Sequence, residues 1–133
     1  MKKQKYKVGE HKVKVKRSRA GLGLFAAENI SKGSCIIEYV GRTLTKAEEY
    51  TSNSKYLFEI NSRRTIDGSI RSNIARYVNH SCRPNVEAEI YKGQIFFMAY
   101  KNIKAGEELS FDYGKEYWDE HIKPKGCRCE KCK

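Results

Sequence analysis

Arg76-Tyr77-Val78-Asn79-His80-Ser81-Cys82-Arg83-Pro84-Asn85 and, some thirty residues on, Glu108-Leu109-Ser110-Phe111-Asp112-Tyr113-Gly114 are the stretches that decide how this chain folds. The first is dense in side chains that both donate and accept hydrogen bonds, and it ends in Pro-Asn, which interrupts regular structure. The second reads as a short strand, apolar at Leu109 and Phe111, that delivers Tyr113 next to a glycine. Asn-His-Ser-Cys alone says little, because a His beside an Asn commonly just satisfies loop backbone.

Two further stretches frame them. Upstream, Gly21-Leu22-Gly23-Leu24-Phe25 puts glycines at alternate positions as a strand begins. Bare backbone of this kind permits close approach of a ligand, and equally suits a bulge at the start of a strand. It is no dinucleotide fingerprint, since the third glycine and the surrounding strand–helix unit are missing. Downstream, Cys127, Cys129 and Cys132 follow Pro124-Lys125-Gly126.

Between these marks the chain alternates short β-branched and aromatic runs with turn signals. Strands are predicted at His11–Lys16, Leu22–Ala26, Cys35–Tyr39, Tyr56–Ile60, Arg64–Ile66, Val86–Tyr91, Ile95–Tyr100 and Glu108–Phe111. Asp67-Gly68 and Lys92-Gly93 read as turns, the second closing a hairpin. Helical spacing appears only around Thr45–Tyr50, Ser72–Val78 and Lys115–His121, each too short to be stable alone. Ala26-Ala27-Glu28-Asn29-Ile30-Ser31-Lys32-Gly33 is echoed by Ala99-Tyr100-Lys101-Asn102-Ile103-Lys104-Ala105-Gly106, so the same strand–turn–strand corner is expected twice.

The 133 residues fit one domain with a modest core. No apolar run approaches the roughly 20 residues of a membrane-spanning helix, and the basic start leads into no apolar stretch, so no signal peptide and no membrane partner are expected. Five cysteines in that setting read as thiols or metal ligands rather than disulfides. The net charge of +11 is uneven: residues 1–19 carry +8, residues 121–133 carry +4, and residues 20–120 carry −1. The basic ends suit nucleic acid or a nucleic-acid-bound substrate, and they suit equally a lysine-guarded edge strand, since Lys12-Val13-Lys14-Val15-Lys16 alternates as an exposed strand does.

In this order and combination the motifs resemble those of SET-domain protein-lysine N-methyltransferases, over a span from about Gly21 to Cys132. The resemblance implies a mainly β fold, the SET domain (β-clip), with small sheets, a few short helices and a threaded pseudoknot in which Arg76–Asn85 and Glu108–Gly114 meet. It implies 11–121 as the SET domain and 122–133 as a short cysteine-containing post-SET tail, while residues 1–10, outside the resemblance, are expected as a basic tail or edge. The implied methyl donor is S-adenosyl-L-methionine (SAM). Gly21, Leu22 and Gly23 match the backbone that lies against it, Asn79 and His80 the residues holding its adenine and amino-acid ends, and Tyr56 another contact. Arg76 matches a residue facing its carboxylate, where an ordinary ion pair is the alternative. Leu22 departs from the aromatic residue of many relatives.

Tyr113 matches the catalytic tyrosine and Tyr39 a second tyrosine of the substrate channel. Phe111 matches the position where Phe or Tyr sets the product, and its missing hydroxyl implies capacity for di- and trimethylation. Cys82 with Cys127, Cys129 and Cys132 matches a zinc site, although two residues rather than four precede the last cysteine. Cys35, on an apolar strand, is expected in the core. The expected partner is a protein presenting a lysine, histone-like or nucleic-acid-associated. A cytoplasmic setting is expected, with a secreted effector or a chromatin protein as alternatives. Two rivals stand beside this reading: a basic nucleic-acid-binding module ending in a zinc knuckle, and a SAM-binding relative without catalysis.

Overall fold

The structure, a computed structural model, describes Val8 and residues 12–18, 21–54, 56–61 and 63–112. Among the described residues ten strands run in the order β1 (Val13–Ser18), β2 (Gly21–Ala26), β3 (Cys35–Tyr39), β4 (Arg42–Leu44), β5 (Leu57–Glu59), β6 (Thr65–Asp67), β7 (Asn79–His80), β8 (Val86–Tyr91), β9 (Gln94–Ala99) and β10 (Ser110–Phe111). One helix, α1 (Lys46–Thr51), lies between β4 and β5, and a 3-10 turn, Ile74–Tyr77, precedes β7. The strands form four small sheets: β1-β2, β3-β9-β8, β4-β6-β5 and the parallel pair β10-β7. This is the mainly β arrangement of small sheets with few helices that the sequence implied.

The core is organised by β9. Ile95, Phe96, Phe97, Met98 and Ala99 are all buried, as expected of a central strand covered on both faces. Ile95, Phe97 and Ala99 join Leu24, Ile36, Tyr39, Val78, Val86 and Leu109 in the main cluster. Phe96 and Met98 point the other way, into a second cluster with Cys35. The β8–β9 hairpin closes through Lys92 (φ 51°) and Gly93 (φ 77°). Two successive residues at positive φ match the right-handed twist of the strands, so this turn is as predicted.

The two similar corners pair with each other. Ile30 and Ile103 exchange backbone hydrogen bonds of 2.8 Å in both directions. Around them several further contacts occur twice. Gly33 N–H donates to Ala99 O at 2.9 Å and Gly106 N–H to Ala26 O at 2.7 Å. Asn102 Oδ1 accepts from Lys32 N–H at 2.8 Å, and Asn29 Oδ1 from Ala105 N–H at 2.9 Å. Equivalent residues lie 73 apart throughout, so the corners are related by a local two-fold.

Some expectations need correction. The helical spacing at Ser72–Val78 yields only the four-residue 3-10 turn, because Asn73 is buried and its side chain is committed elsewhere. Asp67-Gly68 is not a turn: Gly68 N–H continues the β5–β6 pairing by donating to Tyr56 O at 2.8 Å. Gly68 is required because a Cβ there would run into the ring of Tyr39. The predicted helix at Thr45–Tyr50 is present as α1, closed by a capping box between Thr45 and Glu48. The helix at Lys115–His121 lies outside the described residues. Among the described residues no helix is long and apolar enough to cross a membrane.

Candidate active site

The two deciding segments meet. Ser110 pairs with Asn79 and Phe111 with His80 in parallel register. Ser81 N–H donates to Phe111 O at 3.1 Å and Asn85 N–H to Ser110 O at 3.2 Å. Two-residue strands hold so little on their own that something else must fix them, and Asn85 does. Only 2% exposed, it donates through Nδ2 to Glu108 O at 2.9 Å and accepts from Ser110 N–H on Oδ1 at 2.9 Å. Its side chain thus acts as a missing strand partner for Glu108–Ser110. Nothing in its sequence position after Pro84 announced that role.

β2 runs past this junction. Asn79 Nδ2 lies 3.0 Å from Leu22 O, 3.1 Å from Ser18 Oγ and 2.8 Å from Glu108 Oε2. The glycines ahead of it differ. Gly21 has φ 102°, a conformation that side chains disfavour, and a Cβ there would meet open space. At Gly23 a Cβ would run into the Glu108 carboxylate. Leu22 between them is 49% exposed, an apolar side chain standing free beside the open backbone.

Phe111 stacks on Phe58, with centroids 6.1 Å apart and planes 13° apart, and lies 4.8 Å from Phe97. Tyr39 completes this aromatic cluster at 5.4 Å from Phe58 and 5.9 Å from Phe97. It is 7% exposed, and its hydroxyl donates to Tyr56 O at 2.7 Å. Tyr39 therefore holds the backbone that carries Tyr56, as well as lining the aromatic wall. Arg76 lies against two rings, 5.5 Å from Tyr56 and 4.9 Å from Tyr77. It donates to Ser69 O at 2.6 Å and to the Tyr77 hydroxyl at 2.8 Å. Its Nε is the one buried side-chain N or O without a partner among the described residues.

Asn73 escaped the sequence reading. Fully buried, it accepts from Val40 N–H at 3.0 Å and donates to Gly68 O at 2.9 Å, tying the end of β3 to the end of β6 behind Tyr39. A buried Asn leaves no periodic signal, because its partners are backbone groups of remote residues.

His80 Nδ1 lies 3.9 Å from Asp112 Oδ1, and Cys82 Sγ lies 3.7 Å from His80 Nε2. Burial pushes the imidazole below its ordinary range, and the Asp112 carboxylate opposes this only in part. Cys82 is exposed. Tyr113 and the cysteines at 127, 129 and 132 lie outside the described residues, among which no group of three or more potential ligands could hold a metal. Cys35 is buried as expected, and burial, reinforced by Glu38 and Glu89, pushes its thiol up to about 11.

Comparison with known proteins agrees with this architecture. The SET domain family matches residues 21–114. The chain is 36% identical over 126 residues to the histone-lysine N-methyltransferase trr of Drosophila melanogaster, covering 85% of this chain and 5% of that protein. It is 40% identical over 111 residues to the H3 lysine-4 specific histone-lysine N-methyltransferase of Aspergillus oryzae, covering 73% and 9%. Among solved structures, Chaetomium thermophilum Polycomb Repressive Complex 2 bound to GSK126 is similar with a TM-score of 0.72 and 35% identity, over 80% of this chain and 16% of that one. An autoinhibited ctPRC2 bound to S-adenosylmethionine gives a TM-score of 0.71 and 35% identity, over 80% and 15%. The chain spans between 2% and 10% of the length of such curated relatives. With the motif segments joined at β7 and β10 and the family matched across them, the chain belongs to the SET domain family.

Proposed function

We propose that this protein transfers methyl groups from SAM to the side-chain amine of a lysine in a protein substrate. The observation that carries the reading is the junction of β2, β7 and β10, where open glycine backbone and the Asn79 amide adjoin a wall of aromatic rings. That combination suits a polar cofactor bound beside an apolar channel. In the reaction the nitrogen lone pair attacks the sulfonium methyl, the C–S bond breaks toward sulfur, and the sulfur leaves neutral. The product ammonium then loses its proton to solvent. The difficult requirement is a neutral amine in line with the C–S bond, since free lysine has a pKa of about 10.4. Apolar surroundings and the sulfonium charge both favour the neutral amine, and positioning supplies most of the remaining acceleration.

In this reading Gly21, Leu22 and Gly23 lie against SAM with Tyr56, Asn79 and His80, and Arg76, whose buried Nε has no partner among the described residues, faces its carboxylate. Tyr113 is the tyrosine at the reacting methyl, and Tyr39 and Phe111 line the channel. Phe111 carries no hydroxyl to restrain the amine, so the channel accepts nitrogen already bearing one or two methyl groups. Zinc is held by Cys82 with Cys127, Cys129 and Cys132: four thiolates are the donor set structural zinc takes, and the described member is exposed. Lys12, Lys14, Lys16 and Arg17, all exposed on or beside β1, contact a polyanion such as the nucleic acid accompanying a histone-like substrate.

Labelled SAM incubated with the protein and core histones, with the modified residue identified by mass spectrometry, tests this directly. Label should appear on lysine, and Tyr113→Phe should lower turnover far more than SAM affinity. A native protein that binds SAM but labels no lysine in a whole-proteome extract would overturn the catalytic reading.

A further inference from the structure

We propose that Glu108 is a positioning residue for SAM binding, and that the space left by the missing side chain of Gly23 also seats its carboxylate. The first half rests on the methyl-donor reading above; the second stands on the packing alone.

The two glycines of Gly21-Leu22-Gly23 are needed for different reasons. Gly21 is demanded by its φ of 102° and has nothing within 4 Å of where a Cβ would stand. Gly23 has no such φ, and its Cβ would collide with the Glu108 carboxylate. The main chain that carries this carboxylate is fixed on both sides, and the carboxylate itself is held by the Asn79 amide at 2.8 Å. Ala26 N–H donates to Glu107 O at 2.9 Å, Leu109 N–H donates to Leu24 O at 2.8 Å, and Phe25 bridges Glu108. Asn85 holds the Glu108 carbonyl from the other side at 2.9 Å.

The carboxylate then acts on Asn79. The two ends of an amide have nearly the same shape, so only the chemistry of the neighbours decides which way it faces. Here the neighbours include an ionised carboxylate and the Leu22 carbonyl, both of which only accept, at 2.8 and 3.0 Å. They turn the NH2 toward β2 and leave Oδ1 on the opposite side, where it takes no hydrogen bond among the described residues. An amide oxygen so presented fits a ligand donor. SAM offers several, among them the ammonium of its amino-acid end, the adenine amino group and the ribose hydroxyls.

Three substitutions at Glu108 separate shape from chemistry. Glu108→Met keeps the bulk and loses the acceptor, Glu108→Gln keeps an amide oxygen that Asn79 can use, and Glu108→Ala empties the seat. Calorimetry with SAM and steady-state kinetics should give about a tenfold loss of affinity for Met, the usual effect of one lost charged hydrogen bond. The loss should appear in KM for SAM, with kcat at saturation little changed, and Gln should recover most of it. Equal SAM affinity in native and Met proteins would overturn the positioning role. If the native protein itself binds no SAM, the methyl-donor reading falls instead.

The seat has its own readout. Gly23→Ala should lower the melting temperature in the native background and lower it less in the Glu108→Ala background, where the space is vacant. Additive losses would overturn it. Should Glu108→Ala fail to fold, the same comparison is made in Glu108→Ser, and the Met and Gln pair still decides the positioning role.

Discussion

Removing the Asn85 side chain should unfasten the segment that carries Phe111 and leads to Tyr113. Asn85→Ala strips two partners at once from a site only 2% exposed, the Glu108 carbonyl at 2.9 Å and the Ser110 N–H at 2.9 Å. A buried polar group left unsatisfied costs about 1–3 kcal/mol, and two neighbouring ones share any water that enters. The expected loss is therefore about 2–5 kcal/mol, a large share of the roughly 5–15 kcal/mol that holds a domain folded. For a chain of this size that corresponds to a fall in melting temperature of roughly 10 °C or more. Thermal and urea unfolding followed by circular dichroism measure it. Asn102→Ala is the control, since its oxygen serves Lys32 N–H at 2.8 Å in an exposed setting. Asn85→Asp adds a sharper arm. At neutral pH the carboxylate still accepts from Ser110 but faces the Glu108 carbonyl with no proton to offer. Acidification restores a donor, so its stability should approach the native value as the pH falls. A melting temperature for Asn85→Ala within about 3 °C of native, or an Asp variant whose deficit ignores pH, would refute the reasoning.

Phe111→Tyr should convert a di- or trimethylating protein into one that yields mainly monomethyl-lysine, as read by mass spectrometry of a methylated peptide under excess SAM. A native protein that itself stops at monomethyl-lysine contradicts the assignment. In protein stripped of zinc, Cys35, its thiol pushed up to about 11 by burial, should stay unalkylated by iodoacetamide at pH 7.5 while the exposed Cys82 reacts; peptide mapping distinguishes the two. Hydrogen bonds from Lys46 and Thr65 hold Glu49 below the ordinary carboxylate range despite some burial. A carboxylate lowered in the folded state stabilises above its unfolded pKa and loses that contribution as pH falls through the folded one. The gap between native protein and Thr65→Val should thus be constant above about pH 5 and narrow below it, and urea midpoints across pH would show otherwise if the pairing were idle. Tyr39→Phe, which frees the Tyr56 carbonyl of one donor while Gly68 N–H remains, should cost about 1 kcal/mol in chemical denaturation.

What the chain discloses before folding is local. The Lys92-Gly93 hairpin, the strand read at Ile95–Tyr100 and the short helix read at Thr45–Tyr50 depend on neighbours in sequence, and all are present to within a residue of their predicted ends. The two motif segments were legible as a pair only through their likeness to a family. Strands β4 and β7 were not legible, since three and two residues carry no usable alternation and are strands only because β6 and β10 lie beside them. Asn73 and Asn85 read as loop formers, yet each is buried against backbone far away in sequence. That Gly23 also makes room for a carboxylate was not legible, because that side chain arrives 85 residues later. Tertiary contacts of that kind leave no mark on local pattern.

The mutually bonded corners carry a consequence for how the chain is made. The first, around Ile30, has its partner around Ile103, 73 residues downstream. At about 5–20 residues per second of synthesis, the early corner waits roughly 4–15 s before its counterpart exists. During that interval β2 is a nascent apolar strand open to extension by another chain. Its one early companion is β1, bearing Lys14, Lys16 and Arg17 on an exposed edge, and charged edges resist strand-to-strand addition. The lysine-rich ribbon is thus suited to act as a chaperone in cis, shielding the first half of the domain until the ribosome has delivered the second.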